Sequence, residues 1–265
     1  MVAEFASQHY WAVILGGSSG LGLAAARKLA QHGMHLCIVH RNPGIEMERV
    51  NSAFDEIRSA GVQLIAFNAD AIKPDKRHEI LAALKTAMGA HGRIRTLVHS
   101  IAKGNLKAMV NDGGPVLGTD DFRVTLDNMA VSLYDWTLAI SQQQLFAADA
   151  RILSFTSEGS SKAWKHYGAV AAAKAALEAI SRSIALEFAP QGVRANCIQA
   201  GVTETRSLQL IPGSEQLITY TKNRNPFHRL TTPEDVANVV YLLCKDEAAW
   251  INGAVIPVNG GEHIS

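Results

Sequence analysis

A chain of 265 residues with a net charge of +1 and 18% charged side chains can bury a full core, as one large α/β domain or two smaller ones. At 48% hydrophobic, with 21 glycines and 8 prolines, it is neither disordered nor collagen-like, and its near-neutral balance lacks the electrostatic footprint of a dedicated nucleic-acid binder. Three widely spaced cysteines, Cys37, Cys197 and Cys244, form no Cys-x-x-Cys pair and point to reduced thiols rather than a disulfide framework or a metal site. The first ten residues carry Glu4 and His9 and no basic stretch running into an apolar one. The alanine-rich run 168–186 is interrupted by Lys174, Glu178 and Arg182, so neither a signal sequence nor a membrane span is expected, and a cytoplasmic location follows.

In chain order, short aliphatic runs at 11–15, 35–39, 63–67, 94–99, 151–155, 194–198 and 255–258 read as strands. They are apolar at successive positions, as strands covered on both faces must be. Helices are expected between them at 21–32, 45–60 and 74–88, in one long piece from about 121 to 146, and at 167–188 and 233–245. The last is the best marked: Thr232 as N-cap, Pro233 at the first helical position, Glu234 and Asp235 against the dipole, then a stripe of Val236, Val239, Val240, Leu243 and Cys244. Strand–helix alternation of this kind specifies a parallel sheet with helices on both faces. No repeat, linker or charge block divides the chain, so a single domain, 1–265, is expected. The one long irregular segment, 203–232, is the candidate lid.

The first strand runs into Gly16-Gly17-Ser18-Ser19-Gly20-Leu21-Gly22, and a helix follows at once. Glycines there let the chain turn tightly and let backbone N–H groups approach a pyrophosphate at a helix N-terminus. Gly20 to Ala25 also fits G-x-G-x-x-A within a strand-to-helix turn, so Gly16, Ser18, Ser19, Gly20, Leu21 and Gly22 are the candidate dinucleotide loop. At the end of the second strand stands His40-Arg41-Asn42, with no acid for a ribose 2′-hydroxyl. Arg41 can pair with a 2′-phosphate instead, which favours NADPH over NADH. Asp70, followed by Ala71, ends the third strand and either reaches the adenine edge or caps a turn.

Tyr167 and Lys174 stand seven residues apart at the start of the alanine-rich helix, near enough to two turns to share a face. A lysine ammonium beside an oxidised nicotinamide would favour phenolate-like character on the tyrosine, which suits a proton donor or oxyanion stabiliser. Other chemistries fail on local grounds. Phe155 to Gly159 lacks the first glycine of a G-x-S-x-G elbow, and no His-Glu-x-x-His is present, so no metal is expected.

Over essentially its whole length the sequence resembles the short-chain dehydrogenase/reductase superfamily. Gly16, Gly20 and Gly22 look like its G-x-x-x-G-x-G motif, with Leu15 in place of the usual threonine. The superfamily's Tyr-x-x-x-Lys, counted back from Lys174, would need tyrosine at Val170; Tyr167–Lys174 instead has the Tyr-x6-Lys spacing of enoyl-[acyl-carrier-protein] reductases. Val98-His99-Ser100-Ile101-Ala102 resembles their V-H-S-I-[AG], and residues 196–205 resemble their N-A-I-S-A-G-P-x-x-T, with Val202 replacing proline. The C-terminal Ile251-Asn252-Gly253 and 257–261 resemble the superfamily's last strand, with Asn259 where aspartate is common. Ser157 occupies the place of the second tyrosine of the main enoyl reductase type, and an ordinary glycine loop replaces its divergent one. This combination is similar to an NADPH-dependent bacterial variant.

The resemblance implies a Rossmann-type doubly wound parallel sheet of seven strands. It places Ser100, Ile101, Ala102, Gly201, Val202, Thr203 and Thr205 beside the cofactor, and Lys174 on the nicotinamide ribose. Tyr167 would stabilise the enolate of a trans-2-enoyl thioester, as in fatty acid biosynthesis, and Ser157 either adds a hydrogen bond or caps the turn. The superfamily's helix-borne asparagine falls at Asn128 or Met129. Leu208, Leu210, Ile211, Leu217 and Phe227 either line an acyl site or pack a lid on itself. A basic rim of Lys103, Lys107, Lys162, Lys165, Lys222 and Arg224 would meet an acidic carrier protein. A homotetramer is implied. Two other readings stay open: a carbonyl reductase of the same superfamily, and a binding-only NADP(H) sensor.

Overall fold

The structure, a computed structural model, describes residues 3–110 and 112–265. Seven parallel strands form one sheet in the order β3-β2-β1-β4-β5-β6-β7: β1 Tyr10–Leu15, β2 His35–His40, β3 Leu64–Asn68, β4 Arg93–His99, β5 Phe146–Ser157, β6 Val193–Ala200 and β7 Val255–Val258. Alternate residues of each strand enter two separate cores, which is why the strands read as continuous apolar runs. Ala12, Ile14, Leu36 and Ile38 pack under α1 (Gly20–Gln31), α2 (Met47–Arg58) and α9 (Pro233–Cys244). Trp11, Val13, Leu15, Cys37 and Val39 pack under α3 (Pro74–Met88), α5 (Ser132–Gln142) and α6 (Gly168–Glu187). Trp136, fully buried on α5, donates its indole N–H to the Ala71 carbonyl at 2.8 Å and ties that helix to the end of the third strand.

The expected cap of α9 forms as a reciprocal pair: Asp235 N donates to Thr232 Oγ1 at 3.2 Å and Thr232 N to Asp235 Oδ2 at 2.9 Å. The three cysteines are free and buried. Among the described residues no helix is long and apolar enough to cross a membrane, and no cluster of potential metal ligands occurs.

Three expectations need correction. The helix read as 121–146 is three pieces: α4 (Thr119–Leu126), a π-helical turn at Asp127–Val131, and α5, which ends at Gln142. The chain stays helical from 119 to 142 through the π turn, which interrupts it with a single wider turn and no break in the backbone, so a coarse reading of the sequence takes it for one helix. β5 correspondingly starts at Phe146, five residues before the expected start at 151, with an irregular stretch that pairs Ile94 with Phe146 and Thr96 with Arg151. The lid is not irregular either: it holds α7 (Arg206–Gln209) and α8 (Ser214–Arg224).

The edge of the sheet away from the strand C-termini holds an arginine cluster. Arg95 and Arg151 are 1% and 0% exposed. Arg95 lies where the β4–β5 register shifts, which aims its side chain out of the normal alternation. It donates to Asp149 Oδ2 at 2.9 Å, Asp246 Oδ1 at 2.7 Å and the Cys244 carbonyl at 2.8 Å. Arg151 donates to Asp149 Oδ2 at 2.9 Å and the Leu243 carbonyl at 3.0 Å, and Arg194 also binds Asp149. Burial pushes the Asp149 carboxyl up, but the hydrogen bond from Arg151 and the three guanidinium charges bring it below its ordinary value. Guanidinium groups thus satisfy the last carbonyls of α9, where the helix dipole favours cations. Arg151→Met takes one of three guanidinium partners from Asp149 and leaves the Leu243 carbonyl without its donor, so a loss of about 2–3 kcal/mol in denaturant unfolding is expected. Cofactor affinity, set at the opposite edge, should hold; a change below about 1 kcal/mol in stability would refute the cluster's role.

Candidate active site

β1 and β4 are neighbours whose following helices leave in opposite directions, which opens a crevice beyond their C-terminal ends. A cleft of about 1240 Å³ occupies it, larger than an ordinary small-molecule pocket and roomy enough for a dinucleotide with a second ligand. The glycine loop forms its floor. Gly16 has φ +85°, and a Cβ there would stand 2.5 Å from the Ser100 carbonyl oxygen; a Cβ at Gly22 would stand 2.3 Å from the Gly16 oxygen. Gly16, Ser18, Ser19, Gly20 and Leu21 line the cleft, whereas Gly22 does not: it is buried, and its part is to let α1 close on the loop. Ser19 is the N-cap of α1 but its side chain makes no cap, and no acid stands in the first turn. The N–H groups of that turn are therefore suited to an anion, and the residues present fit a pyrophosphate.

Val39, His40, Arg41, Asp70 and Ala71 line one end. Arg41 donates to Asp70 Oδ2 at 2.8 Å, so the arginine proposed for a phosphate already has a carboxylate partner. His40 Nδ1 is 2.8 Å from Asn42 Oδ1, and its ring stands edge-on to Phe54. Sequence reasoning missed Glu46, which takes hydrogen bonds from Asn42 and from Arg206 of α7 across the cleft. Nothing in the sequence pairs residues so far apart.

At the other end Tyr167 is the N-cap of α6, entered through His166 in a left-handed conformation (φ 65°), an uncommon backbone for a non-glycine residue and one that carries local strain. Lys174 is buried two turns on and donates to the Phe155 carbonyl at 2.5 Å. Burial pulls its ammonium down to about 8, partly offset by Cys197 and Glu178. Burial pushes the Tyr167 phenol up and Ser157 partly counters it, so the protein's own groups favour a neutral phenol; the phenolate-like character is expected only beside an oxidised nicotinamide. The Ser157 hydroxyl is buried with no hydrogen bond of ordinary geometry. It lies against the tyrosine rather than capping a turn.

The π turn places both Asn128 and Met129 on the cleft. Asn128 turns its amide back to the Val124 carbonyl at 2.8 Å, while its own carbonyl accepts from Ser132 Oγ, which pairs with His99 Nε2 at 2.8 Å. Burial first, then the Lys174 charge, pull His99 down to about 3, so it is neutral. Met129, Val170 and Ala173 form a small apolar cluster against Tyr167 and Leu106.

Ser100, Ile101, Ala102, Gly201, Val202, Thr203 and Thr205 all line the cleft. The lid springs from a short stem in which Thr203 pairs with Thr231. Leu208, Leu210, Ile211 and Leu217 face the cleft, joined by Trp164 and Tyr220, which the sequence reading passed over. Phe227 does not: it is exposed and lies against Gly260. The basic rim is also smaller than expected. Lys107 is paired with Asp121, Lys162 with Glu158, and Arg224 is buried between Glu158 and Glu262. Lys103, Lys165 and Lys222 remain exposed, without an acidic partner among the described residues.

Glycine loop, helix N-terminus, tyrosine and buried lysine on a doubly wound sheet define a nicotinamide-dependent oxidoreductase. A family profile described as Enoyl-(Acyl carrier protein) reductase matches residues 16–263, and the chain belongs to the short-chain dehydrogenase/reductase superfamily. A probable 2,4-dienoyl-CoA reductase [(2E)-enoyl-CoA-producing] of Bacillus subtilis is 28% identical over 258 residues, 96% of each chain. Among solved structures, the enoyl-[acyl-carrier-protein] reductase (NADH) of Aquifex aeolicus is 25% identical with a TM-score of 0.83, covering 97% of each chain. A short-chain dehydrogenase of Burkholderia cenocepacia in complex with NADP is 25% identical with a TM-score of 0.82, covering 97% of this chain and 98% of that one.

The lowered Lys174 value sets a pH dependence on binding. Its protonated form can donate to ribose hydroxyls and attract a pyrophosphate, and that form is lost as pH rises through about 8. Affinity for a reduced nicotinamide dinucleotide, followed by fluorescence titration, should be steady near neutrality and weaken above pH 8. Lys174→Met should bind more weakly and without that dependence. A wild-type affinity flat from pH 7 to 9.5 would show the charge to be irrelevant to binding.

Proposed function

We propose that this protein is an NADPH-dependent enoyl thioester reductase, acting on trans-2-enoyl groups carried on acyl carrier protein. The observation that carries this reading is the pairing of Tyr167 with an apolar position 170. Val170 is buried beside Met129 and Ala173, so no hydroxyl stands where the carbonyl-reducing members of the superfamily place theirs. A bound reduced nicotinamide supplies a hydride from its C4. With that hydride delivered to the β-carbon of an enoyl thioester, negative charge would gather on the thioester oxygen, and the Tyr167 hydroxyl would donate a hydrogen bond to it. A neutral phenol is the form this task needs, and burial holds Tyr167 neutral at physiological pH. Lys174 would orient the ribose, and a proton taken from water at the α-carbon would complete the saturated product. Leu208, Ile211 and Leu217 with Trp164 give an acyl chain an apolar wall.

Arg41 supports NADPH: it is the cation at the end of β2, and no acid follows that strand directly. Its bond to Asp70 has to open or be shared when a 2′-phosphate arrives, and at 60% side-chain exposure such a pair is weak.

The decisive assay follows NADPH and NADH oxidation with crotonyl and acetoacetyl thioesters, for wild type and Tyr167→Phe. Crotonyl turnover with a preference for NADPH is expected, and Tyr167→Phe should lower kcat about 10²- to 10³-fold with cofactor binding retained. Turnover confined to the acetoacetyl thioester would make the protein a carbonyl reductase; NADPH binding with no turnover of either would make it a sensor.

The carrier enters through what remains of the basic rim. Reversing Lys103 and Lys165 to glutamate should raise KM for a carrier-borne substrate about tenfold while leaving a neutral N-acetylcysteamine thioester unaffected. Equal effects on both substrates would sink the carrier assignment.

A further inference from the structure

One guanidinium joins the two walls of the tyrosine end of the cleft. The first wall is the turn that follows β5. Glu158 comes directly after Ser157, and Gly159 packs so tightly on the Tyr167 ring that a Cβ there would stand 2.6 Å from its Cε1. The second wall is the backbone at 201–203. Val202 N donates to Glu262 Oε2 at 3.3 Å, and a Cβ on Gly201 would stand 2.9 Å from that oxygen and 2.4 Å from Thr231 Oγ1. Arg224, the last residue of α8, sets its Nη2 between them, 2.6 Å from Glu158 Oε2 and 3.0 Å from Glu262 Oε1. The three side chains are 9%, 15% and 4% exposed, and Tyr220 lies with its ring centre 5.4 Å from the guanidinium. The neighbouring Asn225 amide donates to the Asn259 carbonyl at 2.9 Å, so the end of the lid helix is fastened on both sides of this bridge.

We propose that Arg224 is a positioning residue for the reduction: it fixes the separation between the turn that backs Tyr167 and the 201–203 backbone, and locks the lid helix onto both. For the reaction it serves, this rests on the enoyl reductase reading above. Two carboxylates that share one guanidinium nitrogen are held together only while the cation is present. Without it they repel in a poorly solvated site, and the walls they belong to move apart. Protonating one carboxylate relieves that repulsion, and Glu262 is the one poised to take the proton. Burial holds its carboxyl above the ordinary value, whereas for Glu158 burial is outweighed by Lys162 and Arg224. The charged and titratable groups against the bridge are Lys162, 2.5 Å from Glu158, and Tyr220, with its ring on the guanidinium; the Tyr167 ring packs on Gly159, and His263 Nδ1 is 3.0 Å from Asn259 Oδ1, each beside the bridge rather than on it.

The test compares R224Q, R224K and R224Q/E262Q on whichever thioester the wild type reduces, so that a wrong substrate assignment leaves it intact. R224Q should lose about 10- to 100-fold in kcat while its NADPH dissociation constant, read by fluorescence, moves less than about threefold. The deficit should shrink as pH is lowered from 8 to 6. Adding E262Q, which keeps an oxygen acceptor for Val202 N, should restore about tenfold of the lost kcat. R224K, which keeps the charge but not the fork, should fall between wild type and R224Q. If R224Q does not fold, R224K against R224K/E262Q makes the same comparison. A kcat per folded molecule equal to wild type, or a double variant as slow as the single one, overturns the proposal. So does a joint loss of melting temperature and cofactor affinity without pH dependence, which would leave Arg224 a purely structural strut.

Discussion

The arrangement depends on how closely backbone can approach backbone at the tip of β1. A side chain at Gly16 would meet the Ser100 carbonyl at 2.5 Å, and one at Gly22 would meet Gly16 at 2.3 Å. Neither neighbour is the free end of a flexible chain, so neither can give way. That closeness brings the start of α1 against the end of β4, and it directs the helix N-terminus at the crevice where β1 and β4 diverge. Everything that handles a dinucleotide is placed relative to this junction. Ser18 to Leu21 lie on it, Ser100 to Ala102 cover its far side, and Thr205 closes over Gly20 from the lid.

From that junction the site runs from charged to apolar. The end near Arg41 is a mesh of ions and amides, in which Arg41, Asp70, Asn42, Glu46 and Arg206 are bonded pairwise. Inside the Arg224 bridge, the tyrosine end is built of groups whose charged forms burial disfavours. His99 is uncharged, the Tyr167 phenol is held protonated, and the Lys174 ammonium is weakened by loss of water. A dry, donor-bearing end suits charge that develops only during a reaction, because a neutral hydroxyl donates to an oxyanion without first giving up a partner of its own.

The sheet, the loop and the Tyr167–Lys174 pair were legible because each follows a local rule. Strands covered on both faces are apolar throughout, an anion-binding turn needs glycine, and two residues seven apart lie near one another on a helix. What escaped the sequence was either non-local or unmarked by a breaker residue. The π turn at Asp127–Val131 carries no breaker residue, neither glycine nor proline, so 121–146 looked like one helix. Arg95 and Arg151 are buried and Arg194 is half-buried, against the usual tendency of charged residues, because Asp149 and the end of α9 converge on them from distant parts of the chain. Arg224 and Lys107 looked like free surface cations for the same reason: their acids, Glu158, Glu262 and Asp121, are apparent only once the chain is folded.

The lid shows what such long-range pairs accomplish. Its α7 end reaches Glu46 through Arg206, and its α8 end reaches Glu158 and Glu262 through Arg224, so one segment touches both ends of the cleft. The two attachments differ in kind. The Arg206 side chain is 70% exposed, and an ion pair in that setting contributes little and exchanges readily with solvent. Arg224 and its carboxylates are almost wholly enclosed, and opening that bridge would leave charge stranded in protein. A segment held weakly at one end and firmly at the other opens at the weak end. Opening of the segment is therefore easiest beside Glu46, where water already competes for the ion pair, while the enclosed bridge keeps the turn behind Tyr167 and the 201–203 backbone together.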